Sequence, residues 1–227
     1  HHSLQCASHI VVLQAEALQR LNPAERLKAR VILQSCSRML RNDKAQRSFD
    51  FVAVGHLRAE KDPLTLMEAA RRLRDHERLR IVHIGAALDP QLGDAARETM
   101  AQCPNYRWLQ GLPAGPTRRW IARSRALIHM SRLEGGAHAV IEAVRSAVPV
   151  LASRIDGNLG LLGHDYEGYF PVGDAAALTD LIRRFECEPM FASRLHAQCA
   201  ARERMFAPAA EAAALEQLLR DMRETRP

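Results

Sequence analysis

Short apolar runs recur along this chain, and between them lie segments whose apolar positions fall three and four residues apart. The runs stand at 51–54, 79–84, 106–109, 126–129 and 148–152. Runs of this length without polar alternation predict strands buried on both faces, and the spacing between them predicts helices. Strand and helix in strict alternation make a parallel sheet covered on both sides, so the chain is expected to be α/β and Rossmann-like. The helix over 63–73 is the clearest. Asp62 stands as its N-cap, Pro63 takes its first position, and Leu66, Met67, Ala70 and Leu73 line one face. The end of the chain differs, with helical patterns at 174–185, 188–204 and 209–223 and no strand between them. The beginning is a smaller version of the rhythm: strand-like 10–13, helix-like 16–20 and strand-like 31–34. A polar stretch at 35–48, rich in Arg, Asn, Asp, Lys and Gln, reads as the linker that separates it from the rest.

In an open parallel sheet the ligand sits outside the carboxyl ends of the strands, where loops lead into helix N-termini. Those loops are Gly55-His56-Leu57-Arg58-Ala59-Glu60-Lys61-Asp62, Gly85-Ala86-Ala87, Gln110-Gly111, Ser131-Arg132-Leu133-Glu134-Gly135-Gly136 and Ile155-Asp156-Gly157-Asn158, each with a glycine. The most informative segment is Glu134-Gly135-Gly136-Ala137-His138-Ala139-Val140-Ile141-Glu142. Two glycines before a helix expected over 137–147 leave free amides at its start, which suits a diphosphate. Glu142, two turns on, can accept from neutral hydroxyls such as a ribose diol. The plainer alternative makes Glu134 a helix cap and Glu142 a solvated residue. Lys61 and Arg58 precede the first helix and can converge on an anion, or Lys61 can form an ordinary surface pair with Glu60. His56, His129 and His138 flank the same loops, as acid, base or structural groups.

Composition narrows the field. The 227 residues are 47% hydrophobic and 26% charged, ordinary for a globular chain, and Lys plus Arg exceed Asp plus Glu by 32 − 26 = 6. The excess favours anionic partners. Aromatics are only 5%, and the pairs Arg71-Arg72, Arg118-Arg119 and Arg183-Arg184 read as solvated helix faces rather than a nucleic-acid stripe. Cys6, Cys36, Cys103, Cys187 and Cys199 are odd in number and scattered, which argues against disulfides or zinc and for a cytoplasmic setting. His1, His2, Cys6 and His9 match no zinc spacing. No metal and no cofactor are expected. Apolar runs are too short to span a membrane, and nucleophile-elbow, P-loop and zincin motifs are lacking.

With these residues in place, the chain resembles over 49–223 the C-terminal, nucleotide-binding half of GT-B glycosyltransferases of the family 4 retaining type. The likeness rests on the paired glutamates and on Ala147-Val148-Pro149-Val150-Leu151-Ala152-Ser153. It implies that Glu142 binds the ribose of a sugar nucleotide, and that Glu134 with the following amides contacts donor sugar and diphosphate. The family has Arg directly after the first-loop glycine and Lys five residues later; here His56 takes the Arg place, Lys61 is kept and Arg58 lies two residues along. By this resemblance Lys61, Arg58 and Glu134 are the catalytic set. His56, Gly55, Gly85, Leu109, Gly135, Gly136, Ala137 and Glu142 bind the donor.

The first loop, with Val82-His83-Ile84-Gly85-Ala86-Ala87-Leu88-Asp89-Pro90, Tyr106-Arg107-Trp108-Leu109 and Ser153-Arg154-Ile155-Asp156-Gly157-Asn158, is similar to a narrower group, the SenB-type selenosugar synthases of selenoneine biosynthesis. That likeness implies transfer of a sugar from a UDP-sugar of the N-acetylglucosamine or glucose type to selenophosphate. A hydroxyl acceptor and a non-catalytic nucleotide-binding module are the alternatives. The resemblance also implies a domain plan: 1–34 as the remnant of an acceptor domain most of which is missing, 35–48 as linker, 49–206 as donor domain, and 207–227 as a helix crossing back. The start at His1 without Met fits a piece of a longer protein, inactive by itself.

Overall fold

The computed structural model describes residues 2–39, 50–76 and 78–224. Its centre is a six-stranded, wholly parallel sheet. The strands are β3 (Asp50–Val54), β4 (Arg80–Ile84), β5 (Tyr106–Trp108), β6 (Ala126–His129), β7 (Val150–Ser153) and β8 (Tyr169–Phe170), in the order β5-β4-β3-β6-β7-β8. The register runs straight, with Phe51 opposite both Ile81 and Ala126. Chain order reverses direction between β3 and β6, so the loops leaving these neighbours part and open a crevice at their carboxyl ends.

Alternate residues of β3 enter different apolar clusters, as a strand covered on both faces requires. Phe51 and Ala53 join Leu66 and Met67 of α3 (Pro63–Arg72) and Phe185 of α8 (Ala175–Cys187), while Val52 joins Val82 and Ile84 against Trp120 of α5 (Ala114–Arg123). The Phe51 and Phe185 rings meet edge to face at 5.7 Å. Three further helices, α4 (Pro90–Gln102), α6 (His138–Arg145) and α7 (Asp156–Leu162), complete the crossovers. Two more, α9 (Pro189–Arg202) and α10 (Pro208–Glu224), follow α8 without a strand.

Near the N-terminus, the short helices α1 (His2–Cys6) and α2 (Pro23–Leu27) accompany a two-stranded parallel sheet of β1 (Ile10–Val12) and β2 (Ala29–Val31). The helix-like 16–20 is a 3-10 helix, Ala15–Arg20, capped by Gln14. Ser35 donates to Glu211 of α10 through both its amide and its hydroxyl. Cys36 is buried and its carbonyl accepts from Arg145 Nε at 3.1 Å. This part of the polar stretch 35–48 is therefore packed; 40–48 lies outside the described residues, as do His1 and 225–227.

Three local expectations need correction. Asp62 precedes α3, but it adopts a left-handed conformation (φ 48°) and its side chain caps no amide. It is buried instead, accepting from the Thr65 hydroxyl at 2.8 Å and from Arg132 at 3.0 Å. α6 starts at His138, one residue late, because Ala137 is its N-cap. The two-residue β8 lies where no strand was expected.

The carboxyl ends of β3 and β4 stay zipped beyond the strands. Gly55 N–H donates to Ile84 O and Leu57 N–H to Ala86 O, each at 2.9 Å. Gly85 is squeezed so tightly in this zip that a Cβ would lie 1.9 Å from Gly55 O. Gly85→Ala must force the two loops apart, and overpacking of this kind costs roughly 1–3 kcal/mol. Urea unfolding will show a loss in that range, and a variant as stable as the parent would mean that the zip yields freely.

Candidate functional site

The crevice between the β3 and β6 loops holds a cavity of about 480 Å³. Gly55, His56, Arg58 and Lys61 line it from the β3 side, and Gly85 closes the floor beside them. Glu134, Gly136, Ala137 and Glu142 face them from the β6 side, joined by His129 and His138. Two of the expected donor residues lie elsewhere. Leu109 packs against the cluster of Val52, Val82 and Ile84 and is not among the residues that line the cavity. Gly135 lines a neighbouring cavity instead.

Lys61 and Glu134 form an ion pair across the crevice, with both side chains largely shielded from water. The same Glu134 oxygen accepts from the Ser131 hydroxyl at 2.7 Å and lies 3.5 Å from His129 Nε2. Burial by itself would raise the Glu134 carboxyl, but hydrogen bonding to His129, Lys61 and Ser131 outweighs it and holds the pKa at about 2. Glu134 is thus a fixed anion at any ordinary pH. The loops are laced by backbone as well, Arg132 N–H donating to Glu60 O at 2.9 Å.

Behind this pair sits a rigid support. His83 is fully buried, its Nε2 3.2 Å from Gly55 O and its Nδ1 2.9 Å from the Tyr106 hydroxyl. Since a carbonyl only accepts, Nε2 carries the proton and Tyr106 donates to Nδ1. Burial lowers the His83 pKa to about 4 despite the Gly55 contact, so the ring is neutral and fixes the carbonyl before the cationic loop. His56, in turn, accepts from Ala86 N–H at 3.0 Å through Nδ1, which orients the ring at the cavity edge.

Glu142 lies on α6 with Arg118 Nε at 3.6 Å and His138 Nε2 at 3.7 Å from one carboxyl oxygen. Burial raises its pKa, while the charges of His138 and Arg118 pull the other way. Glu142 is therefore not a solvated residue, and Glu134 is not a helix cap, since Ala137 holds the N-cap of α6. Arg118 was expected on a solvated face, yet it reaches Glu142 and donates to Ser37 O. Sequence reasoning also missed Leu112, Ala114 and Thr117, which wall the Glu142 end of the cavity. Their signal was available: they follow the third core strand at its carboxyl end. Two buried nitrogens at the site, Arg58 Nε and His129 Nδ1, have no hydrogen-bond partner among the described residues. Unmade bonds at a crevice mark places a ligand can fill.

Comparison with known proteins supplies the family. Residues 40–204 match the model of glycosyl transferases group 1. The chain belongs to this family. It is 28% identical over 146 residues to glycosyltransferase 1 domain-containing protein 1 of Xenopus tropicalis, covering 64% of this chain and 42% of that one. Among solved structures it superposes on Anabaena HepE, determined in complex with UDP and glucose, with a TM-score of 0.77 at 15% identity, over 97% of this chain and 64% of that one. Sucrose-phosphate synthase from Thermosynechococcus elongatus gives a TM-score of 0.79 at 18% identity, over 98% and 60%. The chain therefore spans less than two thirds of the length of these proteins. Its sheet and flanking helices are those of a GT-B C-terminal domain. Among the described residues no helix is long and apolar enough to cross a membrane, and no group of three or more His, Cys, Asp or Glu could hold a metal.

A carboxyl held below its ordinary value of 4.5 adds stability above that pH and loses it as the pH falls toward about 2. The stability margin of the native chain over Glu134→Gln, measured by urea unfolding, will shrink across that interval. A margin independent of pH would show that Glu134 has no such environment.

Proposed function

We propose that this chain is the donor-binding half of a UDP-sugar-dependent glycosyltransferase. The observation that carries the reading is the convergence of Lys61 and Arg58 with Glu134 and Glu142 around one cavity at the point where the sheet changes direction. The cations and the amides that open α6 suit a diphosphate, since the first turn of a helix presents N–H groups without intrahelical acceptors. Glu142 at the other end suits the ribose hydroxyls, accepting from them without proton transfer. HepE, which shares this fold, was solved with UDP and glucose. Family membership supports catalysis over a merely binding module.

In this reading the bond between the anomeric carbon and the UDP oxygen breaks, and its electron pair passes to the β-phosphate. Lys61, Arg58 and the α6 amides stabilise that growing charge, an effect exerted on the transition state rather than on the substrate. Glu134 stays ionised and holds Lys61 in place. We assign selenophosphate as the acceptor, its selenium forming the new bond to carbon, on the strength of the loop sequences after the strands. A soft selenium nucleophile needs no strong base, and positioning next to the donor does the rest. The N-terminal residues 2–34 and α10 then belong with the acceptor half of a longer protein.

Two experiments test this. In calorimetry, Lys61→Met will weaken UDP about 10- to 100-fold while leaving uridine little changed, the loss of a charged hydrogen bond being worth about 1.5–3 kcal/mol. Glu142→Ala will weaken UDP and uridine alike. Equal effects of both variants on uridine would refute the division of roles. For the acceptor, the longer protein supplied with a UDP-sugar and selenophosphate will release UDP far faster than with simple alcohols. An oxygen glycoside as the main product by mass spectrometry would assign a hydroxyl acceptor instead.

A further inference from the structure

A second cavity, of about 450 Å³, lies on the other side of Glu134. It is bounded by the β6 loop at Arg132 and Glu134, by Arg154 and Asp156 after β7, and by Arg20 at the end of the N-terminal 3-10 helix. Glu134 lines both cavities, so whatever fills the second is a neighbour of whatever the donor pocket presents to Glu134. Gly157 permits this closeness: a Cβ there would stand 2.6 Å from Glu134 O.

The charge balance of the second cavity is uneven. Glu134 is already matched by Lys61, and Arg132 by the buried Asp62. Arg20 donates to one Asp156 oxygen through Nε at 3.2 Å and a terminal nitrogen at 2.7 Å, but both side chains are well exposed, so water and salt screen the pair. Arg154 rests its guanidinium over the Tyr169 ring at 5.4 Å and has no carboxylate partner among the described residues. Its planar fork is thereby oriented while its N–H groups remain free for an anion. The backbone that carries Arg20 is fixed at the cavity edge, since the buried Gln14 side chain caps the 3-10 helix that ends in it, accepting from Glu16 N–H at 2.6 Å, while the Arg20 side chain stays exposed.

We propose that this second cavity is the acceptor's oxyanion site, where the guanidinium groups of Arg154 and Arg20 hold a phosphate-class group beside Glu134 and the donor pocket. The assignment rests on the donor reading above, because the neighbouring pocket must present the sugar. It adds where the acceptor's anionic group sits and which side chains hold it. The oxyanion can belong to a small nucleophile such as selenophosphate or to a phosphorylated sugar; both offer the same tetrahedral group to a planar fork.

The test titrates the chain, with and without saturating UDP, using thiophosphate as a stable small oxyanion and glucose 6-phosphate as a phosphorylated sugar. The variants are Arg154→Gln with Arg20→Gln, whose side chains are exposed, and Lys61→Met. Arg132 is left intact, because its loss would strand the buried Asp62. Thiophosphate should bind in the presence of UDP, weaken at least tenfold in the double arginine variant and persist in Lys61→Met, while UDP affinity in the arginine variant stays within twofold. Glucose 6-phosphate binding tighter with the same arginine dependence supports the site and gives it to a phosphorylated sugar. UDP binding without either oxyanion binding, oxyanion binding indifferent to the arginines, or displacement of thiophosphate by UDP would each overturn the proposal and leave the donor reading standing. Failure of UDP itself to bind would overturn the donor reading and this one with it.

Discussion

The ion pair between Lys61 and Glu134 is the contact on which the crevice depends. It joins the loops of two neighbouring strands that the chain visits more than seventy residues apart, and it does so with both side chains mostly out of water. Shielding two charges is costly, and an isolated pair there would return little. Here the cost is offset because the same Glu134 oxygen also accepts from Ser131 and stands beside His129. The result is a lysine whose ammonium is aimed across the crevice by a permanently ionised partner. Any anion that enters meets a cation already in position, without first having to order a long flexible side chain.

The pair would not hold that geometry on soft loops. The β3 loop is zipped to the β4 loop by backbone hydrogen bonds, and the fully buried His83 holds the Gly55 carbonyl from behind. Asp62, turned left-handed, ends the short 3-10 helix that carries Lys61 and receives Arg132 from the opposite loop. On the far side, Ser153 donates to Ser131 O at 2.6 Å, and Asn158 donates to Ser153 O at 2.8 Å, tying the β7 loop to the same structure. Lys61, Glu134 and the arginine-lined cavity therefore share one continuous polar frame. A substitution in any of these supports should be felt first in the aim of Lys61.

Much of this was legible in the sequence because burial on both faces leaves a plain mark. The five apolar runs became five strands of the sheet, and the paired glutamates arrived at one cavity because their spacing places one in a loop and the other about one turn into α6. What was not legible has local causes. Tyr169–Phe170 is too short to make a pattern, and its pairing with β7 is decided by the sheet edge. Arg118 sits on a helix whose neighbours look solvated; only the packing of α5 beside α6 brings it to Glu142. Leu109 follows a strand directly, yet it packs into the apolar cluster of Val52, Val82 and Ile84, a tertiary contact that no local pattern marks. Asp62 looked like a cap, but its buried side chain accepts instead from Thr65 and from Arg132, 70 positions away.

In the proposed function the Lys61–Glu134 crevice receives a nucleoside diphosphate end to end, phosphates toward the β3 loop and ribose toward α6. Determining the structure of the chain with UDP bound tests this most directly. The β-phosphate should lie within hydrogen-bonding distance of Lys61 Nζ and of the amides that open α6, with the ribose hydroxyls donating to Glu142. UDP seated with its phosphates away from Lys61, or its ribose out of reach of Glu142, would contradict it.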